Sequence, residues 1–178
     1  MSLNNGGVID ETDFIGTSSG AGDSGKVNKL NAAGKNPAEF VEFNGVLAKQ
    51  TSGVSVTTSL AALAFQAEEF DTNTFHDIST NNSRLTVPTG KGGKYQINGS
   101  IHFASNLVTM IQIRKNGATA LAQGSGTGIS ASNAGASVAI VVDLAAGDYV
   151  ELLAAIGTGS VSTSGDQRTN FSMFRVGV

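Results

Sequence analysis

The sequence contains no cysteine and no tryptophan, has only two prolines, and charged residues fill just 14% of its 178 positions. Without cysteine there can be no disulfide, thiolate zinc site, iron–sulfur cluster or cysteine nucleophile. Two histidines leave little material for a metal centre or a catalytic triad. No run approaches the roughly 18 consecutive apolar residues of a membrane-spanning helix, so membrane insertion is not expected. Residues 1–7 lack a basic region followed by an apolar stretch, so no secretory leader is expected there. The net charge of −3 gives no general attraction to nucleic acid.

What the chain does have is small and polar. Gly (23), Ser (19), Thr (16) and Asn (14) account for 72 residues, beside 40% apolar ones. That mixture favours short strands joined by polar turns over long helices. Charge is unevenly spread. Residues 1–71 carry nine acids and four bases (−5), and residues 72–178 carry five acids and seven bases (+2). The chain therefore reads as two parts: an extended N-terminal linker or attachment segment over 1–58 and a head domain over 59–178.

In the first part, residues 16–25 are Gly, Ser, Ala, Thr and Asp, with nothing to pack. Residues 27–46 carry scattered apolar side chains (Val27, Leu30, Phe40, Phe43, Val46) that can dock but cannot build a core. Gly20-Ala21-Gly22-Asp23-Ser24-Gly25-Lys26-Val27 imitates a phosphate loop. However, it ends in Val27 where Ser or Thr must meet magnesium, and it lacks the preceding strand and following helix. Gly22-Asp23-Ser24-Gly25 imitates a serine-protease nucleophile segment, yet a nucleophile in a Gly-rich linker lacks preorganisation. Both are read as linker.

From residue 59 onward, period-two alternation takes over. Tyr95, Ile97, Gly99, Ile101 and Phe103 alternate with polar neighbours, the pattern of a strand with one buried face. Val108 to Lys115 leads into Asn116-Gly117, a pair suited to a tight hairpin, with a returning strand over 118–123. Residues 124–136 read as a loop. Two further alternating runs, 137–144 and 149–156, flank a turn at 145–148. Residues 157–168 read as a polar loop, and Phe171 to Val178 closes the chain as an integral strand. Eight to ten short strands without a helix-length segment predict an all-β sandwich or jelly roll.

Candidate chemistry is sparse. His102 lies on the polar face of the 95–103 strand and is expected to be hydrogen-bonded or solvated. Asp71 and Asp77, beside His76, are candidate ligands for calcium, although calcium takes six to eight oxygens. Asp143 and Asp148 are expected to serve turns. No catalytic site, nucleotide site or other cofactor site emerges, so no enzyme activity is expected.

A series of ordered landmarks in residues 64–178 resembles the C1q-like globular head, a jelly-roll relative of the tumour-necrosis-factor fold. The landmarks are Ala64-Phe65-Gln66-Ala67, Asn82-Ser83-Arg84-Leu85-Thr86-Val87-Pro88, Gly93 to Phe103, Ile111-Gln112-Ile113-Arg114-Lys115-Asn116-Gly117, Leu144-Ala145-Ala146-Gly147-Asp148-Tyr149-Val150 and Phe171-Ser172-Met173-Phe174. Ile97, Ile101 and Met173 depart from the family's usual residues. Residues 25–35 are similar to linkers of bacteriophage fibre proteins, and no collagen-like repeat is present.

The resemblance implies a homotrimer. Tyr95, Ile97, Phe103, Phe171 and Phe174 would then be shared between each chain's core and the threefold axis. It also implies a binding protein on a virion or extracellular surface. One form is a phage-type fibre head, attached through its N-terminal segment and meeting a host glycan or protein. The other is a secreted or surface cellular C1q-like adhesion or ligand-binding protein. Ser125, Thr127, Ser130, Ser132 and Asn133 in one loop, and Thr158, Ser160, Asp166 and Arg168 in another, are the candidate ligand contacts.

Overall fold

In the computed structural model, residues 43–105, 107–128 and 134–177 are described, together with the backbone of 14–15 and 27–28. The chain divides into two units, Met1–Phe43 and Asn44–Val178. In the first, β1 (Phe14–Ile15) pairs in parallel with β2 (Val27–Asn28). The nucleotide-like and protease-like motifs, Leu30 and Phe40 lie outside the described residues.

The second unit is built from strands β3 (Gly45–Lys49), β4 (Ser55–Thr57), β5 (Ala61–Ala62), β6 (Ala67–Asp71), β7 (Arg84–Thr86), β8 (Gly93–Phe103), β9 (Val108–Lys115), β10 (Thr119–Thr127), β11 (Ala134–Leu144), β12 (Tyr149–Ile156), β13 (Ser160–Ser162) and β14 (Asn170–Gly177). No helix occurs among the described residues. One sheet has the order β11-β8-β14-β3-β6, the other β10-β9-β12-β5, with β7 also pairing along β12. β4 and β13 form a separate two-stranded ribbon.

Alternation builds the core. Tyr95, Ile97, Ile101 and Phe103 of β8 point inward beside Phe171 and Met173 of β14. Ile111 and Ile113 of β9 and Val150, Leu152, Ala154 and Ile156 of β12 share the same buried cluster. Phe65 stacks on Phe171 at 5.9 Å and Phe75 meets the edge of Tyr95 at 6.0 Å. Burying each such side chain stabilises the fold by about 1.5–3 kcal/mol. Gly99 leaves room for Leu152, whose Cδ1 would lie only 2.5 Å from a Cβ there.

Two boundaries differ from the sequence expectation. The head begins at Asn44, not at residue 59, because β3 lies inside the first sheet, between β14 and β6. Its Val46 and Ala48 are fully buried. Residues 124–136 are not one loop: β10 extends to Thr127 and β11 starts at Ala134. Glycine permits this, since β10 and β11, one from each sheet, approach backbone to backbone there. A Cβ on Gly126 would sit 1.8 Å from the Gly135 carbonyl oxygen, and one on Gly124 would sit 2.4 Å from that of Ser137.

Candidate functional site

Register fixes which loops share an end. Phe174 pairs with Gly45 and Gly177 with Lys94, so the head's first residues and its last strand residues meet at one end. Asn170 pairs with Lys49 and Ser100, and Ala134 with Phe103, which puts residues 50–66, 104–105, 107 and 157–169 at the other. β8 spans the distance with 11 residues, about 35 Å at strand rise.

A buried polar knot stiffens this loop end. Gln50 donates through Nε2 to the Ala64 carbonyl at 2.9 Å and accepts the Thr163 hydroxyl at Oε1 at 2.6 Å. The Val54 amide donates to Thr163 Oγ1, and the His102 amide to Thr169 Oγ1. All four polar residues are buried. His102 is thus hydrogen-bonded and buried rather than solvated, with Nδ1 2.6 Å from Ser164 Oγ and 3.3 Å from Asp166 Oδ2. A nucleophile and an orienting carboxylate would have to meet opposite ring nitrogens. Here both meet the same one, so the trio has no triad geometry.

The predicted ligand residues are partly gathered here. Arg168 holds Asp166 through Nε at 2.6 Å and through a second guanidinium nitrogen, which keeps that carboxyl well below its usual range. With Ser100, His102, Ser137 and Asn170, Arg168 borders an open groove of about 480 Å³. Thr158 is exposed beside it in the chain, whereas Ser160 belongs to β13 and bonds Ser55 at 3.0 Å. Ser125 and Thr127 are exposed on β10, on a strand rather than in a loop. Ser130, Ser132 and Asn133 lie outside the described residues.

The cation candidates have other work. Asp71 accepts the amides of Asn73, Phe75 and His76, and Oδ1 of Asp77 accepts the Ser79 amide and hydroxyl and the Thr80 amide. The Ser79 hydroxyl is the chief reason that the Asp77 carboxyl is held below its usual range. No group of three or more metal-ligating side chains occurs among the described residues. His76 is pinned between Glu68 Oε1 (2.9 Å) and the Asn82 carbonyl (3.1 Å).

These anchors frame a second cavity that the sequence reading missed. It measures about 370 Å³ and is bordered by Asp77, Thr80, Asn81, Arg84, Thr86 and Tyr149. Arg84 lies over the Tyr149 ring at 4.1 Å and donates Nε to Glu151 at 3.2 Å. Thr74 and Asn81 adopt left-handed backbone (φ 57° each), which for Thr74 stores about 1–3 kcal/mol of strain. Only the cluster of Asx-type turns between Asp71 and Asn82 could have signalled this pocket in sequence.

The core expectation also needs correction. Tyr95, Ile97, Phe103 and Phe171 are completely buried within one chain, so none can be shared with an axis between copies. Phe174 points to the other face of the first sheet and meets Phe70 at 6.0 Å. That outward face also carries half-buried Leu47 and exposed Val141 (54%), with exposed Phe43 and Val176 nearby in the chain. Between them lie Gln96, Asn98 and Ser172, without charge.

Two five-stranded antiparallel sheets in this order decide the architecture. The fold is the C1q and tumour-necrosis-factor jelly roll. The globular domain of zebrafish complement 1qA superposes with a TM-score of 0.56 at 15% identity, over 76% of this chain and 98% of that one. Murine APRIL gives 0.59 at 10% identity, over 76% and 100%. Eiger TNF from S. frugiperda gives 0.53 at 15%, over 75% and 92%. No protein-family model and no curated protein matches the sequence. The C1q/TNF jelly roll here ends its β14 at Gly177, as the sequence predicts for an integral closing strand.

Proposed function

We propose that this chain is a non-catalytic, homotrimeric binding protein: the head of a phage-type virion fibre, attached through its N-terminal segment and contacting a host surface. The observation that carries this reading is the polarity of the head. The chain enters at Asn44, and exposed polar loops, among them the one carrying Thr158, Asp166 and Arg168, lie at the opposite end, about 35 Å away. A tail fixed to a particle would leave those loops foremost, and loops on a rigid scaffold carry recognition.

Trimer formation is supported by the outward face of the first sheet, where half-buried Leu47, exposed Val141 and the uncharged Gln96, Asn98 and Ser172 are rimmed by the Lys94–Asp143 and Lys49–Glu69 ion pairs. Interface cores are depleted of charge in this way, and three copies would multiply weak contacts into useful avidity. The fold shared with complement and tumour-necrosis-factor heads agrees with a binding role rather than an enzymatic one.

The test is to expose fluorescently labelled protein to a panel of bacterial cells and cultured animal cells. Staining confined to particular bacteria is expected. Staining of animal cells alone would replace the fibre reading with a cellular C1q-like adhesion protein, and catalytic turnover lost on substitution of His102 would overturn the binding reading.

A further inference from the structure

We infer that the cavity between the 72–84 loop and β12, at the Asn44 end of the head and apart from the loops proposed above to face the host, is a binding site for a neutral sugar ring. This rests on the reading of the chain as a surface-binding protein and adds to it a place and a ligand chemistry.

The first argument is unspent hydrogen-bonding capacity. Elsewhere in this loop the polar groups are consumed by the fold: Asp71 by three amides, Oδ1 of Asp77 by three donors, and His76 by Glu68 and the Asn82 carbonyl. Around the cavity the balance reverses. Oδ2 of Asp77, the hydroxyls of Thr80 and Thr86, the Asn81 side-chain amide, and both terminal nitrogens of Arg84 make no hydrogen bond among the described residues and, being exposed or half-exposed, are open to a ligand from solvent. Acceptor, hydroxyl, amide and guanidinium thus converge on one space. A ring bearing several hydroxyls, each both donor and acceptor, satisfies such a mixed set; a purely apolar ligand would leave it unmet.

Charge narrows the class. Arg84 is already balanced by Glu151 at 3.2 Å, and the Asp77 carboxylate borders the same space. A carboxylated or sulfated ligand would face two carboxylates for one guanidinium, so a neutral sugar fits better than an acidic one. The cavity, about 370 Å³, is near the lower limit for small-ligand sites and matches one or two rings. The Tyr149 ring with Arg84 stacked on it offers a flat amphipathic wall of the kind that receives a sugar face.

The second argument is preorganisation. The loop is held by the Asp71 and Asp77 turns, by the His76 clamp, and by left-handed Thr74 and Asn81. Strained residues persist where the surroundings over-determine them, and they gather at ligand clamps. A rim already fixed loses little entropy on binding.

The experiment is a binding screen with the full-length protein on immobilised neutral and acidic glycans, followed by calorimetric titration with the methyl glycosides of glucose, galactose, mannose and N-acetylglucosamine. At least one neutral glycoside should bind, with a dissociation constant of about 1 mM or lower per site. Arg84→Gln, and separately Asn81→Gly with Thr80→Ala, should weaken it at least about tenfold. The second variant keeps the left-handed backbone and the Arg84–Glu151 pair, so it stays informative if the first fails to fold. Gln123→Ala, at an exposed position on β10 and outside the cavity, should leave binding unchanged.

Preferential binding of sialylated or sulfated glycans would overturn the proposal. So would loss of binding on Gln123→Ala but not on the pocket variants, or the absence of glycoside binding by a folded protein that still stains cells. That last outcome sinks the pocket while sparing the surface-binding role. A folded protein that binds neither cells nor glycans fails on both.

Discussion

At Gly126 the two sheets approach so closely that a methyl group would lie 1.8 Å from the Gly135 carbonyl oxygen, a backbone atom that cannot swing aside. Gly126→Ala should therefore destabilise the head by about 1–3 kcal/mol in urea denaturation. Gly157→Ala is the matched control: the nearest atom to its new Cβ is 3.6 Å away, and its effect should stay within about 0.5 kcal/mol. Thr74 offers the opposite sign. Its left-handed backbone stores about 1–3 kcal/mol, while glycine's added freedom costs about 0.5–1 kcal/mol, so Thr74→Gly should stabilise by about 1 kcal/mol. The same denaturation curves check it.

At the scale of elements, two turns are tied together by one carboxylate. Asp148 accepts from Lys115 Nζ at 2.6 Å, from the Asn116 side-chain amide at 2.8 Å and from the Ala145 amide at 2.8 Å, joining the 115–118 hairpin to the 145–148 turn. Lys115 first, then Asn116, holds this carboxyl below its usual range. A carboxyl depressed in the folded state stabilises at neutral pH, and the contribution is lost as pH falls through its folded value. Stability should therefore decline as pH falls through and below the usual carboxylate range, and Asp148→Asn should flatten that decline. Denaturant midpoints across the pH series read the difference.

This clasp shows what the sequence made visible. Asn116-Gly117 and Gly147-Asp148 announce turns chemically, and β8, β12 and β14 announce themselves by alternation. β3 was hidden because Leu47 stands between buried Val46 and Ala48, so the short apolar run shows no apolar–polar alternation to mark a strand. The far end of β10 was hidden because Gly124-Ser125-Gly126-Thr127 has little strand propensity and is held by close backbone approach instead. The pocket was hidden for a different reason: Arg84 and Tyr149 are 65 residues apart in sequence and meet only because β7 pairs with β12.

At the scale of the whole molecule, four of the five side chains expected at a threefold axis, Tyr95, Ile97, Phe103 and Phe171, lie in the chain's own core, and Phe174 does not. The outward face of the first sheet, proposed above to meet other copies, carries half-buried Leu47 and exposed Val141 around an uncharged centre of Gln96, Asn98 and Ser172. Val141→Asp combined with Val176→Asp should separate the copies without unfolding them, because both side chains are more than half exposed in one chain. Circular dichroism should keep its β-sheet signal while the particle mass falls. The most direct test of the whole account is light scattering on the unmodified protein during size exclusion at micromolar concentration. A mass of three chains is predicted, and a mass of one chain would contradict it.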